Sequence, residues 1–450
     1  MTISARVWNR QALPKLLSLL AILLVIGEAF GLVAQFDGNL AAFIIIVLVQ
    51  GMVWALAAAI LTRSTDQRPR LALILGTALV LRLLALGAPV FLSDDVNRYI
   101  WDGRVQAAGI NPYRYIPTDP ELAPLRDATI FPNINRNNYA PTIYPPVAQM
   151  LFFLANRLGE TVLAVKLVFV AAEAVGMGAL LLILQAAGKP REYILLYAWH
   201  PLPVWEIAGS GHIDAAVVAF VVLALAAALA GRRAWSGAAL AAATLVKFFP
   251  VVLAPALWRP AKSNLGDWRW PVAFLAVILA AYLPYIGAGS RVIGFLPSYI
   301  AEENLVSGSG FWVLDIVRRA IPLPVGAYLG LATTLMAGLT IGALCRARNP
   351  GSSLPWATAL GTTALFLASP HYPWYFVSLV ALLTAAPWWP AWWLTLTAVV
   401  LYWDAKTGHI QFWAGFTIYG GFVILCGAEL ARRSLLAARS GARHAIDRTI

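Results

Sequence analysis

The chain has 450 residues, of which 60% are hydrophobic and only 12% are Asp, Glu, Lys or Arg. A soluble globular domain carries about twice that charged fraction. The apolar runs are long and continuous rather than alternating, which excludes a soluble enzyme and a transmembrane β-barrel and fits an all-α polytopic membrane protein. The formal charge of +12 is not a nucleic-acid signal. Much of it sits in short loops and in a basic tail, 432–450, with Arg432, Arg433, Arg439, Arg443 and Arg448. Such clusters mark a cytoplasmic side and its anionic lipid. Cys345 and Cys426 are isolated thiols near helix ends, so neither a structural disulfide nor a metal site is expected from them.

In chain order, Arg6, Arg10 and Lys15 precede a first helix over Leu16–Ala34, which is too long for a signal-peptide core and reads as retained. A second helix over Leu40–Leu61 returns to Arg63, Arg68 and Arg70. A third over Leu71–Val90 leads out to a polar interval from Phe91 to about Ile143, which the charge pattern puts outside the cytoplasm. There Ser93 is positioned to cap a helix whose first turn carries Asp94 and Asp95. Val96, Tyr99, Ile100, Val105 and Ala107 give that helix an apolar face suited to the membrane surface, and Gly109 ends it. Asn111-Pro112-Tyr113 and Pro117, Pro120, Pro124 and Pro132 then hold a folded, non-helical loop. Tyr144-Pro145-Pro146 starts an apolar segment, Val147–Leu158, too short to span.

A fourth long helix, Thr161–Ala187, descends to Lys189 and Arg191. A fifth, Tyr193–Ala208, rises through His200-Pro201-Leu202-Pro203 and should break at its prolines near the outer side. Gly209–Asp214 is a tight outer turn, and the next helix reaches Arg232 and Arg233. Read as one helix, Ala234–Trp258 would put Arg259, Lys262, Arg269 and all later loops on the wrong side. The charge rule is kept if Lys247-Phe248-Phe249-Pro250 is an outer turn between two short helices. Helices over Pro271–Ile286, Val325–Leu344 and Leu354–Ser369 follow. They frame a second outer loop, 287–312, with Glu302 and Glu303 as a solvated acid pair, and a turn at Pro370-His371-Tyr372-Pro373-Trp374-Tyr375. Trp388, Trp389, Trp392 and Trp393 form an interfacial belt, and Trp403–His409 is an outer loop. No soluble domain, linker or internal repeat is evident, so 1–450 reads as one membrane domain with its first outer loop over 91–145.

This topology gathers Asp94, Asp95, Arg98, Asp102, Arg104, Lys247, Glu302, Glu303 and His371 on one face. A carboxylate there could take a proton from an attacking hydroxyl, and nearby cations could steady a departing phosphate. Each has a plainer reading. The two aspartates could stabilise a helix N-terminus, Arg98, Arg104 and Lys247 could bind headgroups, and His371 could be a satisfied interfacial histidine. His200, Glu206, His212 and Asp214 match no strong metal spacing and read as packing and hydrogen-bonding groups.

The run Ser93-Asp94-Asp95-Val96-Asn97-Arg98-Tyr99-Ile100-Trp101-Asp102-Gly103-Arg104-Val105, with Asn111-Pro112-Tyr113, Tyr144-Pro145-Pro146 and the His371 turn, resembles the C-type glycosyltransferase superfamily. It is similar in particular to the polyprenol-phosphomannose-dependent mannosyltransferases of glycosyltransferase family 87. The resemblance implies a polytopic fold of about 12–14 transmembrane helices with membrane-surface helices in its first outer loop. It implies a multi-pass enzyme of a bacterial plasma membrane with cytoplasmic termini and an extracytoplasmic site. There a hexose, in the first instance mannose, would move with inversion from a polyprenyl monophosphate to a hydroxyl of a lipid or glycan acceptor.

By the same resemblance Asp95 is the catalytic carboxylate, four residues before Tyr99, with Asp94 beside it. His371, Lys247 and Arg98 are the donor-phosphate ligands. Tyr99, Asp102, Arg104, Asn111, Tyr113 and Tyr144 are the substrate-binding groups. No cofactor and no metal is expected, although paired acids could hold a divalent ion, and turnover is expected to survive chelator. The chain departs from better-known members at Asp94 and in the loop bearing Asn133, Asn135, Asn137 and Asn138. The competing readings are a transporter or flippase of a lipid-linked sugar, which predicts mid-membrane ionisable residues and inverted repeats, and a non-catalytic scaffold.

Overall fold

A computed structural model describes residues 12–63, 70–258, 267–346, 350–403 and 412–446. Arg6, Arg10, Arg68, Arg259, Lys262, Arg348, the loop 404–409 and Arg448 lie outside the described residues, as do the side chains of Arg439 and Arg443. Among the described residues there is no strand. Among the described residues, six helices are long and apolar enough to cross a bilayer: Pro14–Phe36, Leu40–Arg63, Val162–Ala186, Arg269–Glu302, Val325–Cys345 and Trp413–Leu436. Four shorter apolar helices accompany them, Leu71–Ala85, Asp214–Leu229, Ser353–Ala368 and Pro373–Ala385. The protein is thus an all-α, multi-pass membrane protein. Helices are the form in which an apolar segment satisfies its own backbone without water. Outward-facing Leu19, Ile22, Leu23, Ile26 and Phe30 on the first helix are exposed as lipid-facing groups would be.

Helices α1 (Ala12–Phe36), α2 (Leu40–Arg63) and α3 (Leu71–Ala85) match the expected order, although α3 stops five residues short of Val90. The polar interval then folds on α4 (Asp95–Ala107) and α5 (Pro146–Leu158). Asp94 occupies the cap position, and the Ser93 hydroxyl accepts from the Asp95 N–H at 3.3 Å, so the helix starts one residue later than a Ser93 cap would give. Gly109, at φ +77°, ends it. The expected membrane-surface helix is in fact enclosed. Val96, Tyr99, Ile100, Trp101 and Val105 are all buried, packed against α5 and against α6 (Val162–Ala186).

The α4–α5 crossing is close. A Cβ on Gly103 would lie 2.5 Å from the Phe152 carbonyl oxygen. Tyr99 stacks on Phe152 at 4.5 Å between ring centroids, and Gln149 of α5 donates to Asp102 at 2.9 Å and to Thr142 at 2.7 Å.

The proline-bearing stretch after α6 is broken at its middle rather than near one end. It consists of short turns over 191–198, a stop at His200 and a π-helical turn Val204–Gly209. α7 (Asp214–Leu229) and α8 (Arg233–Thr244) follow. The Ala234–Trp258 run is split as the charge rule required: α8 ends at Thr244, and the chain turns through Lys247 into short helical turns over Phe249–Leu253 and Ala254–Leu257.

The remainder comprises α9 (Arg269–Tyr282), α10 (Leu296–Glu302), α11 (Val325–Arg346), α12 (Ser353–Ala368), α13 (Val377–Ala385), α14 (Trp389–Thr397) and α15 (Gly421–Ile446). Trp392, half-buried, packs against Trp54 at 4.9 Å and His200 at 5.8 Å.

Charges do not sit only at helix ends. Arg82 of α3 makes a two-pronged pair with Glu173 of α6, at 2.9 and 2.8 Å, and donates to the Ala198 carbonyl at 2.7 Å. Glu28 of α1 accepts from Gln50 of α2, whose oxygen accepts from the Trp205 indole. These ionisable groups are buried in apolar helices but bound to partners. That is how a bundle tolerates them, and it ties four helices to the broken segment.

Gly103→Ala is expected to force α4 off α5 and cost about 1–3 kcal/mol, whereas Gly76→Ala, with open space at its Cβ, should be neutral. Thermal melting of the two detergent-solubilised variants checks this.

Candidate functional site

One end of the bundle holds a cavity of about 590 Å³. Its walls come from five stretches. Val90–Asp95 and Arg98 lie at the start of α4, and Asn135–Pro145 follow from the first loop. Lys247–Phe249 come from the split hairpin, and Phe295, Leu296, Tyr299 and Glu302 of the second loop face Tyr372, Trp374 and Tyr375.

Backbone contacts explain why distant stretches meet. The first turn of α5 donates the Val147 and Ala148 N–H groups to the Leu245 carbonyl, at 3.0 and 3.2 Å, which seats the Lys247 turn beside Tyr144. The second loop is zipped to the first. Phe295 N–H donates to the Thr142 carbonyl at 3.0 Å, and Asn111 and Arg114 donate to the carbonyls of Tyr285 and Gly287. Gly294 permits this approach: it has φ +64°, and a Cβ there would lie 2.1 Å from the Thr142 oxygen.

At the floor, the Asn135 amide nitrogen donates to Asp94 Oδ1 at 3.1 Å and Asp95 Oδ1 at 2.8 Å. Tyr144 OH faces Asp95 Oδ2 at 3.4 Å and Tyr99 OH at 3.4 Å. Burial, followed by the Asp95 charge, pushes both phenols well above their ordinary range. They therefore remain proton donors throughout the physiological range. Burial, with Glu303 next, likewise raises the Tyr372 phenol to about 12.

Two cations reach the cavity with part of their side chains open. Lys247 pairs with Asp214 at 2.6 Å and lies over the Tyr375 ring at 4.8 Å. Arg136, in the left-handed region at φ 55°, pairs with Glu302 at 2.6 Å and lies over Tyr299 at 5.7 Å. So Glu302 and Glu303 are not a solvated acid pair: Glu302 holds Arg136, and Glu303 faces His371 at 3.6 Å.

Of the residues singled out in the sequence, Asp94, Asp95, Arg98, Tyr144, Lys247 and Glu302 line the cavity together. Arg98 is buried and engaged, donating to Asp102 at 2.8 Å and to the Ala140 carbonyl at 3.2 Å. The others lie outside the lining. Asp102 is 2% exposed and bound by Arg98 and Gln149. Arg104 bridges Asp127 at 2.6 Å and Glu160 at 2.8 Å. Burial acts to raise the Asp127 carboxyl, but the N–H groups of Phe131, Ile130 and Thr129 together with Arg104 hold it down at about 2.

Asn111 shapes a turn by accepting from Tyr113 N–H, and the buried Tyr113 donates to the Tyr144 carbonyl. Tyr99 sits behind Tyr144. His371 is held by Glu303 and by the Gly310 carbonyl at 3.0 Å. His212, Glu206 and Tyr402 form a buried hydrogen-bonded group behind Trp374, with Tyr402 OH and His212 Nδ1 both on Glu206 Oε2. Among the described residues, no three His, Cys, Asp or Glu side chains converge as a metal site.

Sequence reasoning missed Asn135, Arg136, Asp214, Tyr372 and Tyr375 as members of the site. The Asn-rich run around 135 and the aromatic turn after His371 were the available signals.

Residues 17–260 match the sequence model of the MptA_B family, described as alpha-(1->6)-mannopyranosyltransferase, N-terminal domain. That segment exceeds half the chain and contains α4, the first loop and Lys247, though not His371. The chain belongs to this family, and its general function is mannosyl transfer. No curated protein matches it.

Asp102→Ala would leave the buried Arg98 guanidinium without its carboxylate, a loss expected to cost about 3–5 kcal/mol. Phe248→Leu, at a cavity-lining side chain that is 37% exposed, should change melting little. Melting curves for the two variants separate the clamp from the cavity wall.

Proposed function

From membership of this mannosyltransferase family, we propose that the protein moves mannose from a polyprenyl monophosphate to a hydroxyl of a lipid or glycan acceptor, with inversion. We place the reaction in the cavity beside Asp95, within the C-type glycosyltransferase architecture that the first-loop motif resembles. The observation that carries this reading is the cavity itself. The Asp95 carboxylate lines one volume together with Lys247 and Arg136. At about 590 Å³ it falls within the roughly 300–1,000 Å³ of small-molecule sites.

In this mechanism Asp95 takes the proton of the acceptor hydroxyl as that oxygen attacks the anomeric carbon. The carbon–oxygen bond to phosphate breaks on the opposite face, and the electron pair leaves with the polyprenyl phosphate. Lys247 and Arg136 steady the charge that develops there. Inversion to an α-mannoside requires a donor whose mannose is β-linked to its phosphate. Phe248 and Phe249, beside Lys247, give the start of the polyprenyl chain an apolar surface. The catalytic step draws its positive charge from side chains and uses no divalent ion.

The charge asymmetry of the bundle supports the orientation. Lys189 and Arg191 follow the end of α6, Arg232 and Arg233 follow the end of α7, and Lys189 and Arg433 line one common surface, which we read as a cytoplasmic face. On that reading the cavity opens on the extracytoplasmic side of a bacterial plasma membrane.

The test is incubation of the purified protein with labelled polyprenyl-phosphate mannose and membrane lipids, followed by identification of the product. Asp95→Asn is expected to lower turnover by about 10²–10⁴-fold at unchanged melting temperature. Wild-type turnover by that variant would overturn the assignment. Lys247→Met should raise the donor KM and lower kcat together. Excess chelator should leave turnover intact; complete loss that Mg²⁺ restores would assign the phosphate to a metal instead.

A further inference from the structure

The Asn135 amide makes an unusual pair of bonds. Its single nitrogen donates to two carboxylates that are adjacent in sequence, Asp94 Oδ1 at 3.1 Å and Asp95 Oδ1 at 2.8 Å. An amide nitrogen has two hydrogens, so both are used, one on each acid. The bond to Asp95 ties down Oδ1 and leaves Oδ2 as the oxygen nearest Tyr144 OH.

Asn135 is itself held from several directions. Asn97 of α4 donates to the Asn133 carbonyl at 3.2 Å, and Thr118 N–H donates to the Asn137 carbonyl at 3.1 Å. The next residue, Arg136, turns through the left-handed region, and its carbonyl accepts from Tyr139 and Ala140. Its guanidinium is fixed by Glu302 of the second loop. That backbone reversal sends consecutive side chains to different tasks, the amide to the acids and the guanidinium to the other loop.

We infer that Asn135 is a positioning residue for the transfer: its amide binds Asp95 Oδ1 and Asp94 Oδ1 together and so orients Asp95 with Oδ2 as the base. This rests on the reading of Asp95 as the proton acceptor. The physical reason is twofold. Like charges on adjacent residues raise each other's proton affinity, and hydrogen bonds to the charged form lower it. A carboxylate free to rotate would also spend much of its time misaligned with the acceptor hydroxyl.

The groups facing Asp95 leave few alternatives for such an effect. Asp94 is beside it and Tyr99 and Arg98 are on the same helix. Tyr144 and Arg136 come from the first loop, Lys247 with Asp214 from the hairpin, Glu302 from the second loop, and Tyr372, Tyr375 and Tyr402 from the C-terminal part. Of these groups, the Asn135 bonds reach the two carboxylates nearest the proposed reaction.

The experiment measures kcat, donor KM and the pH dependence of kcat/KM for Asn135→Ala and Asn135→Asp, with Asp95→Asn in parallel. Asn135→Ala is expected to lower kcat by about 10²-fold with little change in KM, and to move the acid limb upward by roughly one unit. Asn135→Asp, nearly the same size and shape, should move the limb further, because it replaces a donor with a third negative charge. If Asn135→Ala does not accumulate, Asn135→Asp supplies the same readout. An acid limb and kcat unchanged in either variant would overturn the inference. So would a loss of activity that tracks lowered melting temperature with the limb unmoved, since that is a structural role. If Asp95→Asn is inactive while the Asn135 variants keep the wild-type limb, the inference falls and Asp95 stands. If Asp95→Asn retains turnover, the assignment of the base falls first.

Discussion

The crossing of α4 over α5 is the constraint on which the rest of the site depends. Gly103 lets the two backbones touch at Phe152, and the Tyr99 ring stacks on Phe152 one turn away. Asp102 and Gln149 then lock the pair with polar bonds that have no access to water. A helix set so tightly has one allowed rotation about its axis, and that rotation fixes where Asp95 emerges. The same α5 begins at Tyr144-Pro145-Pro146, and its first N–H groups bind the Leu245 carbonyl. One interlock therefore sets both the carboxylate and the lysine on the opposite wall, although the two are far apart in sequence.

Much of this was legible in the sequence, because a bilayer leaves few choices. Long apolar runs must be helices, and the alternation of basic loops required Ala234–Trp258 to be split, which the turn at Lys247 does. The first-loop motif correctly marked the stretch that lines the cavity. Composition could not distinguish a polar group that binds a substrate from one that holds the fold. Asp102, Arg104, Asn111 and Tyr113 lie within the motif, yet each bonds to another part of the protein. Their partners come from as far away as Tyr285, and nothing in the local pattern announces them. Asn135 and Arg136 were hidden for a related reason: their importance comes from a left-handed turn that no residue preference enforced, since Arg136 is not a glycine.

The buried charges of the bundle follow the same logic. Arg82 and Glu173 interrupt runs that otherwise read as uniform hydrocarbon. An isolated charge in such surroundings costs several kcal/mol, so each is tolerable only with its partner in reach. The Arg82–Glu173 pair also binds the Ala198 carbonyl, where the broken segment begins to unwind. A segment interrupted by Pro201 and Pro203 loses internal hydrogen bonds, and side chains from neighbouring helices replace them. Ionisable residues within spans are thus accounted for by the fold, without invoking a path for ions or lipids through its centre.

The two cavity cations show how a site can hold its own charges in balance and still favour a reaction. Lys247 rests on Asp214 and Arg136 on Glu302. A lone cation facing a half-closed cavity would be costly to desolvate, and the carboxylates remove that cost. In the proposed transfer, the donor phosphate is a diester with one negative charge, and the departing polyprenyl phosphate is a monoester that gains charge as the sugar bond breaks. Cations already neutralised in part by their own partners attract the diester weakly and the monoester more strongly. The interaction therefore grows along the reaction coordinate, which is the property that lowers a barrier rather than merely tightening substrate binding. The base follows the same rule from the other side: an oxygen oriented in advance spends no reorganisation at the moment the proton moves.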